Sequence, residues 1–128
     1  WATFQDGSTG PVDLVGQCAA ETVAGRYWSS SGGQADFARG AMYSPEGRAF
    51  VALHSTAAGG TISRIRATLT PGSMVTTLKN TVDHVVTEHG VADMRGRSIS
   101  QRAAELIAIA DPAFREELTR EARALSYL

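Results

Sequence analysis

The last third of the chain has the most regular pattern of apolar and polar positions. Ser98 followed three residues later by Gln101 predicts a capping box, which begins a helix by satisfying backbone N–H groups. The apolar positions that then share one helical face are Ile99, Ala103, Leu106, Ile107 and Ala110. Asp111 followed by Pro112 predicts the start of a second helix. Its apolar stripe comprises Phe114, Leu118, Ala122 and Leu125.

Shorter apolar segments upstream predict strands. Residues 50–53 form a continuous apolar run that fits a strand buried on both faces, and residues 62–69 alternate like a half-buried strand. Further strands are predicted at 12–15, 74–77 and 82–87, and a short helix at 35–41. Strands followed by two helices indicate an α/β domain.

The opening of the chain differs in composition from the rest. Residues 1–11 are polar and rich in turn-forming residues, which predicts an irregular lead-in to a domain that spans 12–128. The chain begins at Trp1 without a basic segment followed by an apolar run, so no signal peptide is expected. We expect the chain to be a processed product or a piece of a longer protein.

Charge and composition exclude several classes of protein. The 128 residues include 12 Lys and Arg against 13 Asp and Glu, a net charge of −1, which argues against binding to nucleic acid or to an anionic membrane. No apolar run approaches the roughly 20 residues of a membrane helix, and we expect a cytoplasmic location. The single cysteine, Cys18, excludes an internal disulfide and a cysteine-based metal site.

The histidines show no recognisable metal or nucleophile motif. His54, His84 and His89 have no zinc-ligand spacing, so we expect surface or hydrogen-bonded histidines and no metal site. Ser55 and Asp83 complete the residue types of a Ser-His-Asp triad. However, the chain lacks the G-x-S-x-G turn that would hold a nucleophilic serine, which disfavours a triad.

Glu88, at the end of an apolar strand, has two interpretations. Partial burial would raise the pKa of its carboxyl group and suit it to act as a base or nucleophile. The favoured interpretation is a structural carboxylate that accepts hydrogen bonds from the backbone or pairs with Arg95 or Arg97. Cys18 has no neighbouring base in the sequence and is expected to be a small core residue.

Two further features suit an anionic ligand. Gly32 and Gly33 follow three serines and precede the predicted helix at 35–41, so backbone N–H groups there can face an anion or an oxyanion, although a plain turn explains the glycines equally well. Arg64 and Arg66 share one face of a strand and suit a phosphate. A solvated sheet face is the commoner explanation for such a pair.

Several segments together resemble one protein family. S-G-G-Q-A-D-F-A-R-G-A (31–41), L-H-S-T-A-A-G-G-T-I-S-R-I (53–65) and V-V-T-E-H-G-V-A-D-M-R-G-R-S-I-S-Q-R-A (85–103) resemble the C-terminal domain of the acetyl-CoA hydrolase/transferase family. D-L-V-G-Q (13–17) is similar to a strand of that family, and D-P-A-F-R-E-E-L (111–118) to its final helix. The family includes 4-hydroxybutyrate CoA-transferases and succinyl-CoA:acetate CoA-transferases.

The resemblance implies ping-pong chemistry on a glutamate. That glutamate attacks an acyl-CoA to give an acyl-glutamyl anhydride and then a glutamyl-CoA thioester. In the family it lies N-terminal to the segment matched here, and Thr87-Glu88 matches a different family motif, V-T-E-x-G. The resemblance therefore does not make Glu88 the nucleophile. It does imply that the Gly33 backbone N–H donates to an oxyanion.

The resemblance also implies contacts with coenzyme A and a fold. Gly33, Ser29, Ser31, Gly32 and Gln34 are expected to line the CoA thioester channel, and Arg48 lies where some relatives have a basic residue near CoA. No permanently bound cofactor is expected, since CoA and acyl-CoA are substrates. The implied fold is α/β with an open, mostly parallel sheet flanked by helices, the NagB/RpiA-like C-terminal half of a CoA-transferase.

The sequence thus leads to one main hypothesis and two alternatives. In the main one, the chain is the C-terminal half of a CoA-transferase or acyl-CoA hydrolase and needs an N-terminal CoA-transferase domain, an acyl-CoA and a small carboxylate. Alone, it is expected to be inactive, and a homodimer is left open. The first alternative is a stand-alone, non-catalytic CoA-binding or scaffold module. The second is an independent hydrolase that uses Glu88.

Overall fold

The structure is a computed structural model that describes the backbone of residues 2–4 and all of residues 10–128. Its helices are α1 (Gln34–Tyr43), α2 (Ile99–Ile109) and α3 (Arg115–Ala124). Its strands are β1 (Ala2–Phe4), β2 (Val12–Asp13), β3 (Thr22–Val23), β4 (Arg26–Tyr27), β5 (Ala49–Ala52), β6 (Thr56–Ala57), β7 (Ile62–Ser63), β8 (Ile65–Arg66), β9 (His84–Thr87) and β10 (Gly90–Asp93). Short 3-10 turns lie at Ala58–Gly60 and Pro112–Phe114.

The central sheet has four strands in the order β1-β5-β9-β10. β5 pairs in parallel with both β1 and β9, and β10 runs antiparallel to β9. Three two-stranded sheets accompany it: β2–β8 is parallel, while β3–β4 and β6–β7 are antiparallel hairpins. The predicted α/β class is therefore confirmed as a mixed domain of small sheets and helices.

The hydrophobic core lies between the central sheet and the C-terminal helices. Val51, Val85 and Ala92 are buried at alternate positions of neighbouring strands, as period-two patterning requires. The helical residues packed in the same core are Ala103, Leu106, Ile107, Ile109, Leu118 and Ala122. Each fully buried Leu or Ile contributes about 2 kcal/mol through removal of apolar surface from water. Within the described residues, no helix has both the length and the apolar character needed to cross a bilayer.

Both C-terminal helices begin as predicted. The Ser98 hydroxyl accepts from the Gln101 N–H at 3.3 Å, and the Gln101 side chain accepts from the Ser98 N–H at 2.9 Å. The Asp111 carboxylate accepts from the Ala113 N–H at 2.9 Å, with Pro112 directly after it. Two apolar positions differ from the prediction because they lie at helix ends: Ile99 and Leu125 are exposed.

Four strand predictions need correction. The strand predicted at 12–15 ends at residue 13, where the chain turns. Residues 74–77 form no strand, since only Thr77 makes an isolated bridge, to Cys18. The strand predicted at 82–87 begins at residue 84. The predicted strand 62–69 is divided at Arg64, whose N–H bonds the Ser55 carbonyl while its own carbonyl accepts from Val12. The chain therefore leaves the β6–β7 hairpin at Arg64 and enters the β2–β8 pair.

Several strands had no prediction. β1 lies inside the region expected to be irregular, and of that region residue 1 and residues 5–9 are outside the described residues. β3 and β4 meet at Ala24 and Gly25, which both have positive φ, 51° and 76°. A two-residue turn of this kind favours Asn-Gly or Gly-Gly, so Ala-Gly gives a weak hairpin signal in the sequence.

The D-L-V-G-Q segment forms a tight turn directly after β2. The Asp13 carboxylate accepts from the N–H groups of Val15 at 3.1 Å and Gln17 at 2.8 Å, and from the Gln17 side chain at 2.6 Å. Burial raises the pKa of Asp13, while these hydrogen bonds act against that rise. The buried Arg102 guanidinium donates to the carbonyls of Val15 at 3.0 Å and Lys79 at 2.6 Å, which ties the turn to α2.

Candidate functional site

The turn before α1 presents a backbone donor at a helix start. Gly32 has a φ of +55°, which a glycine adopts without steric cost. Gly33 is the N-cap of α1, and its carbonyl accepts from the Phe37 N–H at 2.9 Å. Gly33 is exposed, and the described part of the chain supplies no acceptor for its N–H. This N–H, at the positive end of the helix dipole, is therefore suited to a negatively charged ligand atom.

Gln34 anchors this turn from the protein interior. Its side chain is buried, donates to the Cys18 sulfur at 3.6 Å and accepts from the Thr77 hydroxyl at 3.1 Å. Both ends of the side-chain amide are thus occupied, so only the backbone of Gln34 reaches the turn. Cys18 is a core residue, since burial raises the pKa of its thiol to about 12 and keeps it protonated.

The serine segment joins this turn to the β3–β4 hairpin. The N–H groups of Trp28 and Ser29 both donate to the Glu21 carbonyl, at 2.8 and 3.2 Å. Ser29 is half-buried, whereas Ser31 and the two glycines after it are exposed. Ser29, Ser31, Gly32 and Gly33 therefore form one continuous surface segment, held at its start by Glu21.

Arg48 lies away from this turn. It lines a cleft of about 620 Å³ at the amino ends of β5 and β9, together with Glu46, Asp83, His84, Asp93 and Arg95. We call this the sheet-edge cleft. Gly33 and Arg48 lie beyond opposite ends of α1, whose ten residues span about 15 Å. The structure does not bring Arg48 to the Gly32-Gly33 turn.

Glu88 and Ser55 form a hydrogen-bonded pair at the carboxyl ends of β9 and β5. The Glu88 carboxylate accepts from the Ser55 N–H at 2.9 Å and from the Ser55 hydroxyl at 2.6 Å. Desolvation acts to raise the pKa of Glu88, but the Ser55 hydroxyl and backbone N–H groups outweigh it and lower the pKa to about 2. The interpretation that partial burial raises the pKa of the Glu88 carboxyl group is therefore wrong. The predicted backbone hydrogen bond is confirmed.

The arginines suggested as partners of Glu88 pair elsewhere. Arg95 Nε lies 3.4 Å from an Asp83 oxygen, and Arg97 contacts Asp93 at 3.2 Å and Glu105 at 3.1 Å. The basic side chain beside Glu88 is instead the imidazole of His89, at 3.9 Å. The arginine pairings weighed for Glu88 are thus wrong.

The residue types of a Ser-His-Asp triad are not assembled. His84 begins β9 and lies 3.1 Å from Asp83, whereas Ser55 bonds Glu88 beyond the other end of the same strand, about 13 Å away at a strand's rise per residue. His54 is exposed. Across the residues that the structure describes, no group of three His, Cys, Asp or Glu side chains is arranged to hold a metal ion.

Comparison with known proteins defines the class. Residues 8–122 match the Acetyl-CoA hydrolase/transferase C-terminal domain. The chain therefore belongs to the acetyl-CoA hydrolase/transferase family, as the motifs predicted, and corresponds to the C-terminal domain of that family.

Two relatives and one solved structure show how similar the chain is to individual proteins. The chain is 55% identical over 115 residues to succinyl-CoA:cyclohexane-1-carboxylate CoA transferase of Geobacter metallireducens, covering 90% of the chain and 26% of that protein. It is 49% identical over 110 residues to 4-hydroxybutyrate coenzyme A transferase of Clostridium kluyveri, covering 86% and 26%. The crystal structure of RipA from Yersinia pestis superposes with a TM-score of 0.86 at 42% identity, covering 94% of this chain and 27% of RipA. The chain spans about a quarter of each relative's length.

Proposed function

We propose that this domain supplies the oxyanion donor and CoA contacts of an acyl-CoA:carboxylate CoA-transferase or acetyl-CoA hydrolase. The observation that carries the proposal is the exposed Gly33 N–H at the start of α1, without an acceptor among the described residues. The names of the similar CoA transferases support the substrate class. NagB/RpiA-like architecture is part of the proposal, supported by the two parallel strand pairings around β5.

The proposed chemistry uses a glutamate from the part of the protein outside this chain. Its carboxylate attacks the thioester carbonyl, and the developing negative charge on the carbonyl oxygen is stabilised by the Gly33 N–H. A donor fixed in place before the reaction needs no reorganisation, and such a donor contributes about 3 kcal/mol to transition-state stabilisation. CoA leaves as the thiolate and then attacks the glutamyl carbonyl of the acyl-glutamyl anhydride. The anhydride C–O bond breaks, the acyl group leaves as a free carboxylate, and the glutamyl-CoA thioester remains.

The neighbouring residues hold this donor. Ser29, Ser31 and Gly32 line the approach to it, and the Gln34 side chain fixes the first turn of α1 through Thr77 and Cys18. We place Gln34 in the site through its backbone alone. A role for Arg48 in binding CoA stays a prediction, at a distance of one helix length from the turn.

Glu88 is not the proposed nucleophile. Its two carboxylate oxygens accept from Ser55, and its lowered pKa reports a stabilised, weakly basic carboxylate. An independent hydrolase that depends on Glu88 would lose activity in Glu88→Gln. We expect no thioester hydrolysis by the isolated chain, with or without that substitution.

A chimera tests the proposed function. The matched segment of the Geobacter metallireducens relative is replaced by this chain, and thioester exchange is measured with succinyl-CoA and cyclohexane-1-carboxylate. We expect exchange by the chimera and none by the chain alone. A folded chimera without exchange would contradict the proposal and favour a non-catalytic module. Turnover by the chain alone would show that the nucleophile lies within it.

A matched pair of substitutions in the chimera tests the donor. Gly33→Pro removes the N–H, and we expect kcat to fall by about 10²–10³. Gly33→Ala retains the N–H, and its Cβ meets the Phe37 ring at 3.0 Å, the far end of an exposed side chain that can move. Equal activity of the two variants, both folded by circular dichroism, would remove Gly33 from the mechanism.

A further inference from the structure

The turn before α1 is held at both ends and open between them. Residues 30–33 are exposed, whereas Ser29 before them is half-buried and Gln34 after them is buried. Because an exposed stretch of four residues gains little from packing, its geometry depends on the two ends. The position of the Gly33 N–H is therefore set by whatever holds Ser29 and Gln34.

Thr77 holds the end of the turn at Gln34. Its hydroxyl donates to the Gln34 side-chain oxygen at 3.1 Å, and the same side-chain amide donates to the Cys18 sulfur at 3.6 Å. The backbones of Cys18 and Thr77 exchange two hydrogen bonds, at 3.0 and 3.1 Å. Both residues are fully buried, so water does not compete for the Thr77 hydroxyl. A hydrogen bond in such surroundings is costly to lose.

Thr76 holds the start of the turn through Glu21. Its buried hydroxyl donates to the Glu21 carboxylate at 2.9 Å and accepts from the Ala20 N–H at 2.8 Å. The Glu21 carbonyl in turn accepts from the N–H groups of Trp28 and Ser29, at 2.8 and 3.2 Å. Two neighbouring threonines are thus connected to the two ends of one turn.

We propose that Thr76 and Thr77 form a clamp that positions the Gly33 N–H for the reaction, which makes both threonines positioning residues. This inference rests on the proposed function, which makes that N–H the oxyanion donor. Thr77 acts through Gln34, and Thr76 acts through Glu21. A donor held from both ends is in place before the substrate arrives, which is the condition for stabilising charge without reorganisation.

Backbone dynamics of the 128-residue chain test the clamp without any activity. The NMR order parameter of the Gly33 N–H should be near about 0.85, the value of rigid backbone. Thr77→Val keeps the side-chain shape and removes the hydroxyl, and we expect the Gly33 value to fall below about 0.6. Thr77→Ser retains the hydroxyl and should retain the order. Thr119→Val is the matched control, because that hydroxyl bonds the Arg115 carbonyl within α3 at 2.7 Å and should leave Gly33 unchanged.

Thioester exchange by the chimera tests the consequence for the reaction. Thr77→Val should lower kcat at least about tenfold and change KM for succinyl-CoA by less than about twofold, because the donor acts in the transition state. Thr77→Ser should restore most of the activity. In the Gly33→Pro background, Thr77→Val should lower kcat by less than about twofold, because the donor that it positions is absent. A merely structural loss would lower kcat by the same factor in both backgrounds.

The outcomes separate the clamp from the proposed function. The clamp is overturned if Thr77→Val leaves the Gly33 order parameter unchanged, or lowers kcat equally with and without Gly33→Pro. If Thr77→Val does not fold by circular dichroism, Thr76→Val carries the test from the other end, with the same loss of kcat and with disorder centred on Ser29. An inactive chimera together with a loosened turn would overturn the proposed function, and the catalytic role of the clamp with it. An active chimera together with a rigid Gly33 in Thr77→Val would overturn the clamp alone.

Discussion

Two clefts lined in part by arginine differ in electrostatic character although they have nearly the same volume, about 620 and 610 Å³. They are the sheet-edge cleft and the cleft beside the β3–β4 hairpin that is lined by Trp28, Arg64 and Arg66, called the Trp28 cleft. In the sheet-edge cleft, basic side chains and carboxylates alternate: Asp83 contacts His84 at 3.1 Å and Arg95 at 3.4 Å, and His84 lies 3.5 Å from Asp93. In the Trp28 cleft, the described lining holds two arginines, no carboxylate and an exposed indole.

The difference lies in where the carboxylates are: they stand between the basic side chains of the sheet-edge cleft and are absent from the described lining of the Trp28 cleft. The buried Asp83 carboxylate also accepts from the Ala49 N–H at 3.1 Å, so this cluster fixes the start of β5 against β9. Its charges are largely compensated within the fold, and because Asp83 is buried its carboxylate depends on these partners. An arginine count alone would rank the two clefts as equals. The placement of carboxylates shows that they are not.

The largest expected effect is the loss of the sheet-edge cluster. Asp83→Ala removes the acceptor for the Ala49 N–H, His84 and Arg95, and we expect the free energy of unfolding to fall by about 3 kcal/mol in urea titration. Glu46→Ala, at an exposed position in the same cleft, should change it by less than about 0.5 kcal/mol. Equal changes in the free energy of unfolding for the two substitutions would show that the cluster does not stabilise the fold.

Ser55 and Glu88 provide a reference for a carboxylate satisfied without any arginine. Ser55→Ala removes a fully buried hydroxyl donor, and we expect a loss of about 1.5 kcal/mol at pH 7. In the wild-type chain the pKa of Glu88 is lowered to about 2, so its stabilising contribution is full above its ordinary pKa, near 4.5, and is lost as pH falls towards 2.

The same acid titration checks the origin of that lowered pKa. In Ser55→Ala the Glu88 pKa, followed by NMR, should rise towards its ordinary value, and the stability difference from wild type should shrink below pH 4. A Glu88 pKa that stays near 2 in this variant would show that the Ser55 hydroxyl is not its cause.

The smallest expected effect compares one arginine from each cleft. Arg95→Gln removes a partner of the buried Asp83 and should lower the free energy of unfolding by about 1 kcal/mol. The effect is this small because Arg95 is partly exposed. Arg66→Gln should leave the free energy of unfolding within about 0.5 kcal/mol, because Arg66 makes no ion pair in the described part of the chain. A larger stability loss at Arg66 than at Arg95 would reverse the distinction between the clefts.

The sequence was most informative where local chemistry alone decides the structure. The capping pair Ser98 and Gln101, and Asp111 before Pro112, act within four residues, so both helix starts were predictable. The apolar runs also located β5 and β9, although both strands bury only alternate positions, so the expected burial of residues 50–53 on both faces is wrong. By contrast, β1 and the β3–β4 hairpin lie in segments with no clear strand pattern, and the predicted strand at 74–77 depended on β-branched residues without a pairing partner.

The candidate site was only partly predictable, because some of its features depend on local sequence and others on tertiary packing. The glycine turn could be located by its motif, because a backbone donor needs no knowledge of side-chain direction. The inward turn of Gln34 and the position of Arg48 beyond the far end of α1 depend on tertiary packing, which residue order does not encode locally. Trp28 was passed over as well, because a large aromatic residue in a single sequence is expected to be buried.

The division of one strand at Arg64 has a mechanical consequence. The Arg64 N–H donates to the Ser55 carbonyl, and the Arg64 carbonyl accepts from the Val12 N–H. This one residue therefore connects the β6–β7 hairpin to the β2–β8 pair through hydrogen bonds on both sides. The tip of that hairpin holds Gly59 and Gly60 in left-handed conformations. A displacement of the Arg64 backbone would therefore either break one of these two hydrogen bonds or move both small sheets together.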